Sequence, residues 1–533
     1  MTPAERFDVA IVGAGFAGSL TALALRRLGR SVCLIERGSH PRFAIGESSS
    51  PLANLLLEEL CDRYRLDRIK PLAAWGSWRR AHPSVACGLK RGFTFYGHRL
   101  GEPFAADPER RDQLLVAASP CDEVADTHWY RADFDAFLAG EAEREGAVHL
   151  DRTTIERIEP EDGGAHVDLE RGGVRRSIRA RLLVDASGPS GVLPRSLGIP
   201  VEAFPEYPAT EALYTHFTGV PRLDGLAAFS SGAASETPPY PVDDAAVHHL
   251  FDGGWIWVLR FSNGITSAGV AATAELACEL RFEEGAPAWD RLLSRLPSVA
   301  EQFCGARPVL PLVHRPRLSY RAARAAGPGW VLLPSAAAFV DPLLSTGFPL
   351  ALLGILRLAR IVEDSWGRPD FDRSLAELGR RTLDEADAAA RLTAALYASL
   401  GDFPAFALLT RLYFAAASWA EAARRLGKPE RARSFLLFDD PAFGPALRRI
   451  CDEAVDPDPR VRRAAAESVR AAIEPFDVIG LNDEARRNWY PVEARDLFDN
   501  AQKLGATREQ MEEMLERTGA LVRPLSAEHI SRR

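Results

Sequence analysis

The fold is decided near the start of the chain, by the stretch Phe7-Asp8-Val9-Ala10-Ile11-Val12-Gly13-Ala14-Gly15-Phe16-Ala17-Gly18. A short, β-branched apolar run leads into Gly-x-Gly-x-x-Gly and then into an Ala/Leu-rich segment that ends near Gly29. A second apolar run, Ser31–Ile35, closes on Glu36. The order of strand, tight turn, helix, strand and acid predicts a βαβ unit that binds a dinucleotide.

Each position of this unit has a physical task. Gly13 permits the sharp turn out of the strand, Gly15 leaves room for a pyrophosphate, and Gly18 lets the helix pack close to the sheet. The helix N-terminus offers free N–H groups and a positive dipole end to the phosphates. A carboxylate at Glu36 can accept hydrogen bonds from ribose hydroxyls and would repel a 2′-phosphate. A glycine-rich turn in some other α/β fold is the weaker interpretation, because the whole βαβ context is present.

Length and composition predict a globular protein of two or three modules. The 533 residues exceed what one hydrophobic core usually supports, and the contents of 47% hydrophobic and 26% charged residues are ordinary. A net charge of −8 argues against a nucleic-acid surface. The longest apolar stretches, 343–359 and 392–420, are interrupted by Gly, Pro and charged residues, so we expect no membrane span.

The cysteines indicate a reducing compartment. The seven cysteines are odd in number, widely spread and never in a Cys-x-x-Cys pair, which suits reduced thiols and gives no metal-site spacing. The first apolar run is the nucleotide-binding strand and no cleavage site follows it, so we expect no signal peptide and a cytoplasmic protein.

Two segments between Glu36 and residue 100 bear on chemistry. His40–Pro51 has the Gly, Pro and Ser content of a loop, with Ser50 placed to cap a helix that starts at Pro51. Gly88–Tyr96 has the pattern of a single strand, whose alternation puts Lys90 on the face opposite Phe93 and Phe95. From periodicity alone, a solvent-facing lysine is the better interpretation of Lys90.

The spacing of apolar residues predicts the helices and strands of the rest of the chain. We predict an amphipathic helix that opens with His128–Leu138 and ends by Gly146, a strand meander to residue 178, and an apolar strand that delivers the turn Asp185–Gly188. Residues 201–320 are β-rich, with a Pro- and Ser-rich loop at 230–241. A strand at Trp330–Leu333 then leads through a glycine-bearing turn to a helix over 349–363, and from about Asp372 the pattern is helical to the end.

Taken together, several blocks between about residue 6 and about residue 365 resemble the flavin-dependent halogenases, the family that includes the tryptophan halogenases. The blocks are, in chain order, Gly13/Gly15/Gly18 with Glu36, the loop Gly46-Glu47-Ser48-Ser49-Ser50-Pro51, Arg131 with Asp135, Asp185-Ala186-Ser187-Gly188, and Phe339-Val340-Asp341-Pro342 with Ser345-Thr346-Gly347. Lys90 falls where the family carries its active-site lysine. Four further stretches, at 40–51, 88–93, 213–216 and 248–255, are most similar to family members that chlorinate a pyrrole in pyrrolnitrin biosynthesis.

The resemblance implies an α/β fold: a Rossmann-like FAD-binding domain of the flavin monooxygenase/halogenase type, with a β-sheet substrate region and a helical C-terminal region. The core would cover residues 1–365, with the substrate-side β region inserted at about 201–320, and residues 366–533 would form the helical region. The implied FAD-binding residues are Gly13, Ala14, Gly15, Ala17, Gly18, Glu36, Arg37, Arg42, Ile45, Gly46, Glu47, Ser48, Ser49, Arg131, Asp185, Ala186, Ser187, Gly188, Asp341, Pro342, Thr346 and Gly347.

The resemblance also implies a reaction. A separate NAD(P)H flavin reductase would supply reduced FAD, and O₂ with chloride or bromide would give hypohalous acid at the flavin. The halide would lie near the backbone of Ser345, Thr346 and Gly347, and Lys90 would present the halogen to an electron-rich aromatic ring. Partial desolvation lowers the pKa of a lysine and makes its amine nucleophilic, so Lys90 suits this role.

Two departures from the family pattern leave alternatives open. The family's Trp-x-Trp-x-Ile-Pro block is credited with keeping substrate off the flavin, and here it reads Trp255-Ile256-Trp257-Val258-Leu259-Arg260. Leu344 replaces the Glu that precedes Ser345 in tryptophan halogenases, which favours a phenol, pyrrole or related heteroarene over tryptophan. Trp255, Trp257, His248 and His249 are the candidate substrate-pocket residues, although adjacent histidines on a strand point to opposite faces.

Three hypotheses therefore remain. The first is a reductase-dependent halogenase, and the second is a flavin monooxygenase or dehydrogenase on the same scaffold. The third is a flavoprotein whose C-terminal helical region serves for docking or assembly, with turnover lost. The presence of Lys90 and the turn motifs disfavours the third. Monomer and homodimer both stay open.

Overall fold

The computed structural model describes residues 4–161, 163–229 and 237–520. Its strands are β1 (Glu5–Val12), β2 (Val32–Ile35), β3 (Cys87–Lys90), β4 (Gly92–Gly97), β5 (Gln113–Ala117), β6 (Asp126–Trp129), β7 (Val148–Leu150), β8 (Thr154–Glu161), β9 (Gly164–Arg171), β10 (Val174–Asp185), β11 (Val201–Glu202), β12 (Thr210–Thr218), β13 (Ala246–Phe251), β14 (Gly254–Arg260), β15 (Thr266–Thr273), β16 (Arg307–Pro308), β17 (Val313–Arg315), β18 (Tyr320–Ala322), β19 (Ala326–Gly327), β20 (Trp330–Leu332), β21 (Ala338–Phe339) and β22 (Trp489–Tyr490).

Helices pack on two large sheets, and two small sheets are formed by β11-β18-β21 and by β3 with β6. The helices are α1 (Phe16–Arg27), α2 (Pro51–Tyr64), α3 (Trp75–Ala81), α4 (Arg131–Arg144), α5 (Val192–Ser196), α6 (Ala274–Leu280), α7 (Ala286–Ser294), α8 (Pro297–Gln302), α9 (Pro334–Ala337), α10 (Gly347–Ser365), α11 (Phe371–Tyr397), α12 (Phe403–Arg425), α13 (Phe443–Ala454), α14 (Pro459–Ile473), α15 (Ala494–Asp499) and α16 (Arg508–Arg517). The mixed α/β class and the Rossmann-like unit predicted from the sequence are confirmed. No helix of the described ranges is long and apolar enough to cross a membrane.

The first sheet has the order β19-β20-β10-β1-β2-β7, and β20, β10, β1, β2 and β7 run parallel. Val12, the last residue of β1, is the register partner of both Ile35 and Asp185, and Asp185 is the partner of Leu332. The carboxyl ends of four strands therefore lie side by side. The turns that follow these strands meet along one edge, where doubly wound folds bind their ligands.

The helix after the loop at 40–51 begins as the sequence predicts. Pro51 is its first residue, and the Ser50 hydroxyl accepts a hydrogen bond from the Ala53 N–H at 3.4 Å. Proline suits this position because the first N–H groups of a helix have no partner within it. The predicted cap is thus confirmed, and it fixes where the loop ends.

The second sheet has the order β16-β12-β15-β14-β13-β4-β5-β22, with β17 also on β12. It is not confined to the expected β region at 201–320, because β4, β5 and β22 come from elsewhere in the chain. Part of that region, over 274–302, is helical instead. One face of the sheet packs on α12, where Phe95 lies 5.6 Å from Phe406 between ring centroids, and the other packs on α7.

The single strand predicted over Gly88–Tyr96 is wrong. β3 ends at Lys90 and pairs with β6, whereas β4 starts at Gly92 and pairs with β5 and β13. Between them the Arg91 N–H donates to the Asp244 carbonyl at 2.6 Å, so the chain changes sheets at this residue. Alternation cannot be counted across such a break, and the predicted facing of Lys90 fails with it.

The C-terminal region is helical as predicted, with one exception. Trp489 and Tyr490 form β22 at the edge of the second sheet, beside Leu115 and Val116. Residues 521–533, and the part of the predicted 230–241 loop at 230–236, lie outside the described residues.

Candidate active site

β6 is the element that assembles the site. On one side it pairs with β3, which carries Lys90, and on the other its residue His128 bridges to Ser48. The Trp129 N–H donates to the Glu47 carbonyl at 2.6 Å, and the Ser49 N–H donates to the Thr127 carbonyl at 3.2 Å. The strand of the lysine and the Gly46–Ser50 loop are therefore fixed to the same short strand.

Lys90 is completely buried. Its ammonium nitrogen donates to Ser48 Oγ at 2.9 Å, to the Ser49 carbonyl and to Ser345 Oγ at 3.5 Å. It also lies 3.7 Å from the centroid of the Phe93 ring. The solvent-facing interpretation and the predicted separation of Lys90 from Phe93 are both wrong, because the chain breaks at Arg91. Burial lowers the pKa of Lys90, and the nearby Asp126 charge only partly opposes this.

The first glycine turn has the close approaches that a dinucleotide turn requires. Gly13 has a φ of +100°, and a Cβ there would lie 2.7 Å from the Ala186 carbonyl oxygen. A Cβ at Gly18 would lie 1.9 Å from the Gly13 carbonyl oxygen. A Cβ at Gly15 would meet only the tips of Arg131, Asp135 and Arg42 side chains at 3.5–3.6 Å. Gly13 and Gly18 are therefore demanded by packing, and Gly15 faces a space bordered by two guanidinium groups.

Glu36 lies at the predicted edge, and its carboxylate is tied to the turn. It accepts from the Ala14 N–H at 3.0 Å and from the Gly38 N–H at 2.9 Å, with the Arg42 guanidinium 3.5 Å away. Burial alone would raise the pKa of Glu36, but the Gly38 N–H, Arg42 and the Ala14 N–H hold it below its usual range. Ala14 and the buried Ala17 belong to the same turn and helix, whereas Arg37 is exposed.

The second turn is built by its own aspartate. Asp185 Oδ1 accepts from the Ser187 N–H at 2.8 Å, and Oδ2 accepts from the Leu193 N–H at 2.7 Å. Burial raises the pKa of Asp185 in spite of these bonds. The carboxylate therefore shapes the turn from within, and Gly188, with a φ of +60°, completes it. Ala186 and Ser187 lie against Gly13, so the two turns are in contact.

Arg131 holds the Gly46–Ser50 loop. It makes a two-pronged ion pair with Asp135 at 2.8 Å and donates to the carbonyls of Ile45 and Gly46 at 3.1 and 3.0 Å. A planar guanidinium can satisfy a carboxylate and two carbonyls at once. These hydrogen bonds hold the loop in a conformation in which Gly46 has a φ of +87°.

The Ser345–Gly347 segment is a turn that feeds a helix. Ser345 has a φ of +54°, and its N–H donates to the Pro342 carbonyl at 2.9 Å. α10 begins at Gly347, so the N–H groups of its first turn lack acceptors within the helix. Thr346 and Gly347 also line a cavity together with Asp341, Phe339 and Leu350. This cavity lies at the end of β20, beside the cofactor edge.

Asp341 is buried and receives two tyrosine hydroxyls. Its Oδ2 accepts from Tyr397 at 2.7 Å and from Tyr207 at 3.1 Å, and the Trp255 indole N–H donates to the Tyr397 oxygen at 3.1 Å. Burial raises the pKa of Asp341 to about 6, although these hydrogen bonds lower it. Because Tyr397 is the last residue of α11, the C-terminal helical region contributes directly to this site.

An aromatic wall extends from Lys90 along the second sheet. The His248 ring stacks on Phe95 at 4.5 Å between centroids and lies 5.4 Å from Trp255, which is 5.7 Å from Trp257. His248, Trp255 and Trp257 are therefore on the lysine side of the sheet. Trp257 is fixed by a bond from its indole N–H to Ser267 Oγ at 3.2 Å.

His249 does not join them. It lies on the opposite face, where its ring nitrogens are 3.0 Å from His98 and 3.1 Å from Gln302. The structure therefore does not bring His249 to the face that carries Lys90 and the other predicted pocket residues. The period-two alternation of a strand already indicated that only one of the two histidines could lie on that face.

The departure at Leu259-Arg260 has a structural account. Leu259 is buried, and Arg260 donates to Asp243 at 2.8 Å and to the Val220 and Pro221 carbonyls. Arg260 thus anchors the end of β14 to two loops. Its side chain is committed to this anchor and does not open a path towards the cofactor edge.

Sequence reasoning missed several residues of the site. They are Asp126, Asn54, Tyr207, Tyr397 and Phe406. Each lies far along the chain from the residue it contacts, and none belongs to a spaced motif. The predicted opening of a helix at His128 is wrong, because Asp126–Trp129 form β6 and the helix starts at Arg131. This error hid the buried-strand position of Asp126.

The family model described as FAD dependent oxidoreductase matches residues 8–341. The chain belongs to the FAD dependent oxidoreductase family. The match covers both turns, the Gly46–Ser50 loop and Asp341, so the family's cofactor, FAD, is the dinucleotide predicted from the sequence.

Relatives of this FAD dependent oxidoreductase place it with the flavin-dependent halogenases, as its motifs predicted. It is 33% identical to the tetracycline 7-halogenase of Kitasatospora aureofaciens over 354 residues, which are 64% of this chain and 60% of that protein. It is 28% identical to the monodechloroaminopyrrolnitrin halogenase PrnC of Pseudomonas fluorescens over 418 residues, 77% of this chain and 71% of that protein.

A solved structure agrees with this placement. The halogenase PltM in complex with phloroglucinol and FAD superposes with a TM-score of 0.78 at 25% identity, covering 91% of this chain and 99% of that one. The similarity therefore extends well beyond the matched family model and includes most of the C-terminal helical region.

The residues of this chain fit FAD. The first glycine turn leads into α1, whose N-cap, Gly15, provides no capping side chain, so no side chain occupies the helix N-terminus. Arg42 and Arg131 border the space in front of Gly15 and complement a pyrophosphate. The cavity lined by Asp341, Thr346 and Gly347 comes after β20 in the chain, and the end of β20 lies beside that of β10 at the same edge. These features suit an elongated dinucleotide.

Proposed function

We propose that the protein is a reductase-dependent halogenase that places chlorine or bromine on an electron-rich aromatic ring, a phenol or a pyrrole-like heteroarene. One observation carries the proposal. The buried Lys90 nitrogen contacts the Gly46–Ser50 loop through Ser48 and Ser49, and it contacts the Ser345–Gly347 segment through Ser345. A buried amine between a cofactor loop and an anion-binding turn has the position that halogen transfer requires.

The cofactor would be held by the two turns and the loops at the sheet edge. Gly13, Gly15 and the start of α1 would accept the pyrophosphate, with Arg42 beside it. Asp341, Pro342, Thr346 and Gly347 would adjoin the flavin ring. Reduced FAD would supply, with O₂, the two-electron oxidation of halide to hypohalous acid.

The halide would lie at the N-terminus of α10. The Ser345 N–H is already engaged with Pro342, so Thr346 and Gly347 would provide the backbone donors. An anion is favoured there by the free N–H groups and by the helix dipole. Ser345 would still matter through its hydroxyl, which connects this segment to Lys90.

Lys90 would take up the halogen. It would hold hypohalous acid by hydrogen bonding, or form an N–halogen bond with release of water. The ring carbon would then accept the halogen and lose a proton. Because burial lowers the pKa of Lys90, its free amine forms at a lower pH than that of an exposed lysine.

The substrate would meet the aromatic wall. Phe93, Phe95, His248 and Trp255 are buried against one another on the lysine side of the sheet, and a planar substrate that reached Lys90 would pack beside these rings. Leu344 offers no carboxylate for an amino acid ammonium group, which favours a neutral ring. The names of three similar proteins mention tetracycline, monodechloroaminopyrrolnitrin and, for PltM, a complex with phloroglucinol.

A flavin monooxygenase or dehydrogenase without halogenation is the second candidate. The absence of Ile-Pro at Leu259-Arg260 favours it, whereas the anchoring of Arg260 to Asp243 argues against it. We further propose that residues 1–365 form the FAD-binding core and that residues 366–533 form a helical region that closes its substrate side through Tyr397 and Phe406.

The test is product analysis by mass spectrometry. Purified protein would be combined with a flavin reductase, NADH, FAD, O₂ and bromide or chloride, against a panel of phenols, pyrroles and indoles. The proposal expects halogenated phenol or pyrrole, dependent on every component. Hydroxylated product that is unaffected by omission of halide would select the monooxygenase instead.

A further inference from the structure

A second charged side chain is buried beside Lys90. Asp126 is the register partner of Lys90 in the β3–β6 pair, and directly opposite residues in a sheet carry their side chains on the same face. The exposed fraction is 5% for Asp126 and zero for Lys90. The two therefore share one dry environment, in which charges act strongly on each other.

Asp126 is only half satisfied by neutral partners. Its Oδ1 accepts from the Asn54 side-chain amide at 3.0 Å. Its Oδ2 is inaccessible to solvent and has no hydrogen-bond partner among the described residues. Burying a carboxylate in this way is costly unless a positive charge compensates it. Burial raises the pKa of Asp126, and the Lys90 charge is the strongest of the electrostatic influences that lower it.

The direct contacts of Lys90 are neutral. They are the two serine hydroxyls, the Ser49 carbonyl and the Phe93 ring. The histidines that face it, His128 on β6 and His248 on β13, have pKa values that burial lowers to about 3, so both are uncharged near neutral pH. These two histidines therefore add no charge near Lys90.

The remaining groups around Asp126 lie on α12. Glu421 and Arg425 form an ion pair at 2.9 Å, and their effects on Asp126 have opposite signs. Tyr413 is buried with a pKa raised well above its usual range, so it stays neutral. Lys90 and Asp126 are thus the pair whose charges depend on each other.

We propose that Asp126, oriented by Asn54, is a positioning residue that influences the charge of Lys90 and favours its ammonium form in the resting protein. Loss of the Asp126 charge would release the proton of Lys90 at a lower pH. The meaning of this for catalysis rests on the proposed role of Lys90, but the electrostatic statement does not.

Lysine NMR tests the pair directly, without turnover. The chain has lysine only at positions 70, 90, 428 and 503, so protein labelled with [ε-¹³C]lysine gives few signals, and Lys90→Met identifies that of Lys90. In Asp126→Asn, the pKa of Lys90 should fall by about one to three units. Asp126→Glu should restore most of it.

Asp62→Asn is the matched control. Asp62 accepts from exposed Lys70 at 2.5 Å, and this contact raises the pKa of Lys70. The control should lower the pKa of Lys70 and leave the pKa of Lys90 unchanged. A Lys90 pKa that is the same in wild type and in Asp126→Asn would overturn the inference.

A second variant covers a failure of Asp126→Asn to fold. Asn54→Leu removes the amide that stabilises the carboxylate, so the pKa of Lys90 should again fall.

The pH dependence of halogenation gives a second readout. The part of the pH–rate profile that follows the titration of Lys90 should move to lower pH in Asp126→Asn, whether the amine or the ammonium is active. If no halogenation occurs but the Lys90 signal shifts, the proposed function fails and the charge pair stands.

Discussion

The Tyr397 hydroxyl donates to Asp341 Oδ2 at 2.7 Å and accepts from the Trp255 indole at 3.1 Å. One residue of the C-terminal helical region therefore joins the Asp-Pro block to the double-tryptophan strand. A region that served only for docking would not supply the central atom of such a network, so this contact argues against the third hypothesis.

Removal of the Tyr397 hydroxyl should lower the stability of the protein. In Tyr397→Phe, Asp341 loses a hydrogen bond to a buried carboxylate and the Trp255 N–H loses its acceptor, which should cost roughly 1.5–3 kcal/mol of unfolding free energy. Urea titration measures the loss. Tyr207→Phe is the matched control, because it removes the longer bond to the same oxygen without affecting Trp255. Equal effects of the two variants would contradict the bridging role.

The titration of Asp341 predicts a pH-dependent stability. Burial raises the pKa of Asp341 from an ordinary value of 3.8 to about 6 in the folded protein. A raised folded-state pKa favours the protonated folded form, so this contribution is fully present below pH 3.8 and is lost as pH rises through 6. The unfolding free energy of wild type, relative to Asp341→Asn, should therefore fall over this interval, by at most about 3 kcal/mol. A constant difference from pH 3.5 to pH 7 would refute the shift.

Gly15→Val should abolish FAD binding while the protein stays folded. Gly15 has a φ of −71° and a ψ of −177°, which valine adopts readily, and a Cβ there meets only side-chain tips at 3.5 Å or more. The added methyl groups would instead occupy the space assigned to the pyrophosphate. Fluorescence titration with FAD measures the affinity, with Gly140→Ala, an open helical position, as control. Wild-type affinity in folded Gly15→Val would remove the site assignment.

Flavin reduction should require a partner enzyme. The sequence offers one Gly-x-Gly-x-x-Gly βαβ unit, and the structure uses it at the FAD edge. NADH or NADPH is mixed with the FAD-loaded protein. The absorbance of the oxidised flavin, at roughly 450 nm, should stay unchanged over minutes until a flavin reductase is added. Rapid bleaching by the nicotinamide alone would favour the monooxygenase.

Local pattern predicted the parts of the site that depend on neighbours in sequence. Gly13, Gly18 and Glu36 follow from the βαβ pattern, and the alignment of strand ends brought Asp185 to them as expected. The position of Lys90 was lost at Arg91, where one backbone bond to Asp244 moves the chain to another sheet. No periodicity records a contact of this kind, since its energy comes from a partner about 150 residues away.

Buried polar partners were missed for the same reason. Asn54, Asp126 and Tyr397 contribute through contacts over 50 residues or more, and each alone has the pattern of an ordinary helix or strand residue. Tertiary packing decides which such residue becomes a site residue.

Lys90 decides between the first two hypotheses. Its nitrogen contacts Ser48, Ser49 and Ser345, and it lies over Phe93, so its removal leaves the glycine turns intact. Lys90→Ala should abolish halogenated product while FAD binding is retained, because a residue that acts at the chemical step affects turnover rather than cofactor affinity. Lys90→Met keeps most of the side-chain volume and should lose product equally, which separates chemistry from a cavity effect.

Arginine should not rescue the activity. A guanidinium stays protonated and cannot act as a nucleophile, and its planar shape does not suit the three acceptors around the lysine nitrogen. Lys70→Ala, which changes an exposed lysine in an ion pair with Asp62, is the matched control and should leave product unchanged. Halogenated and hydroxylated products would be measured by mass spectrometry at matched flavin occupancy. Undiminished halogenation in Lys90→Met would reject the lysine assignment, and hydroxylation alone in all variants would reject the halogenase.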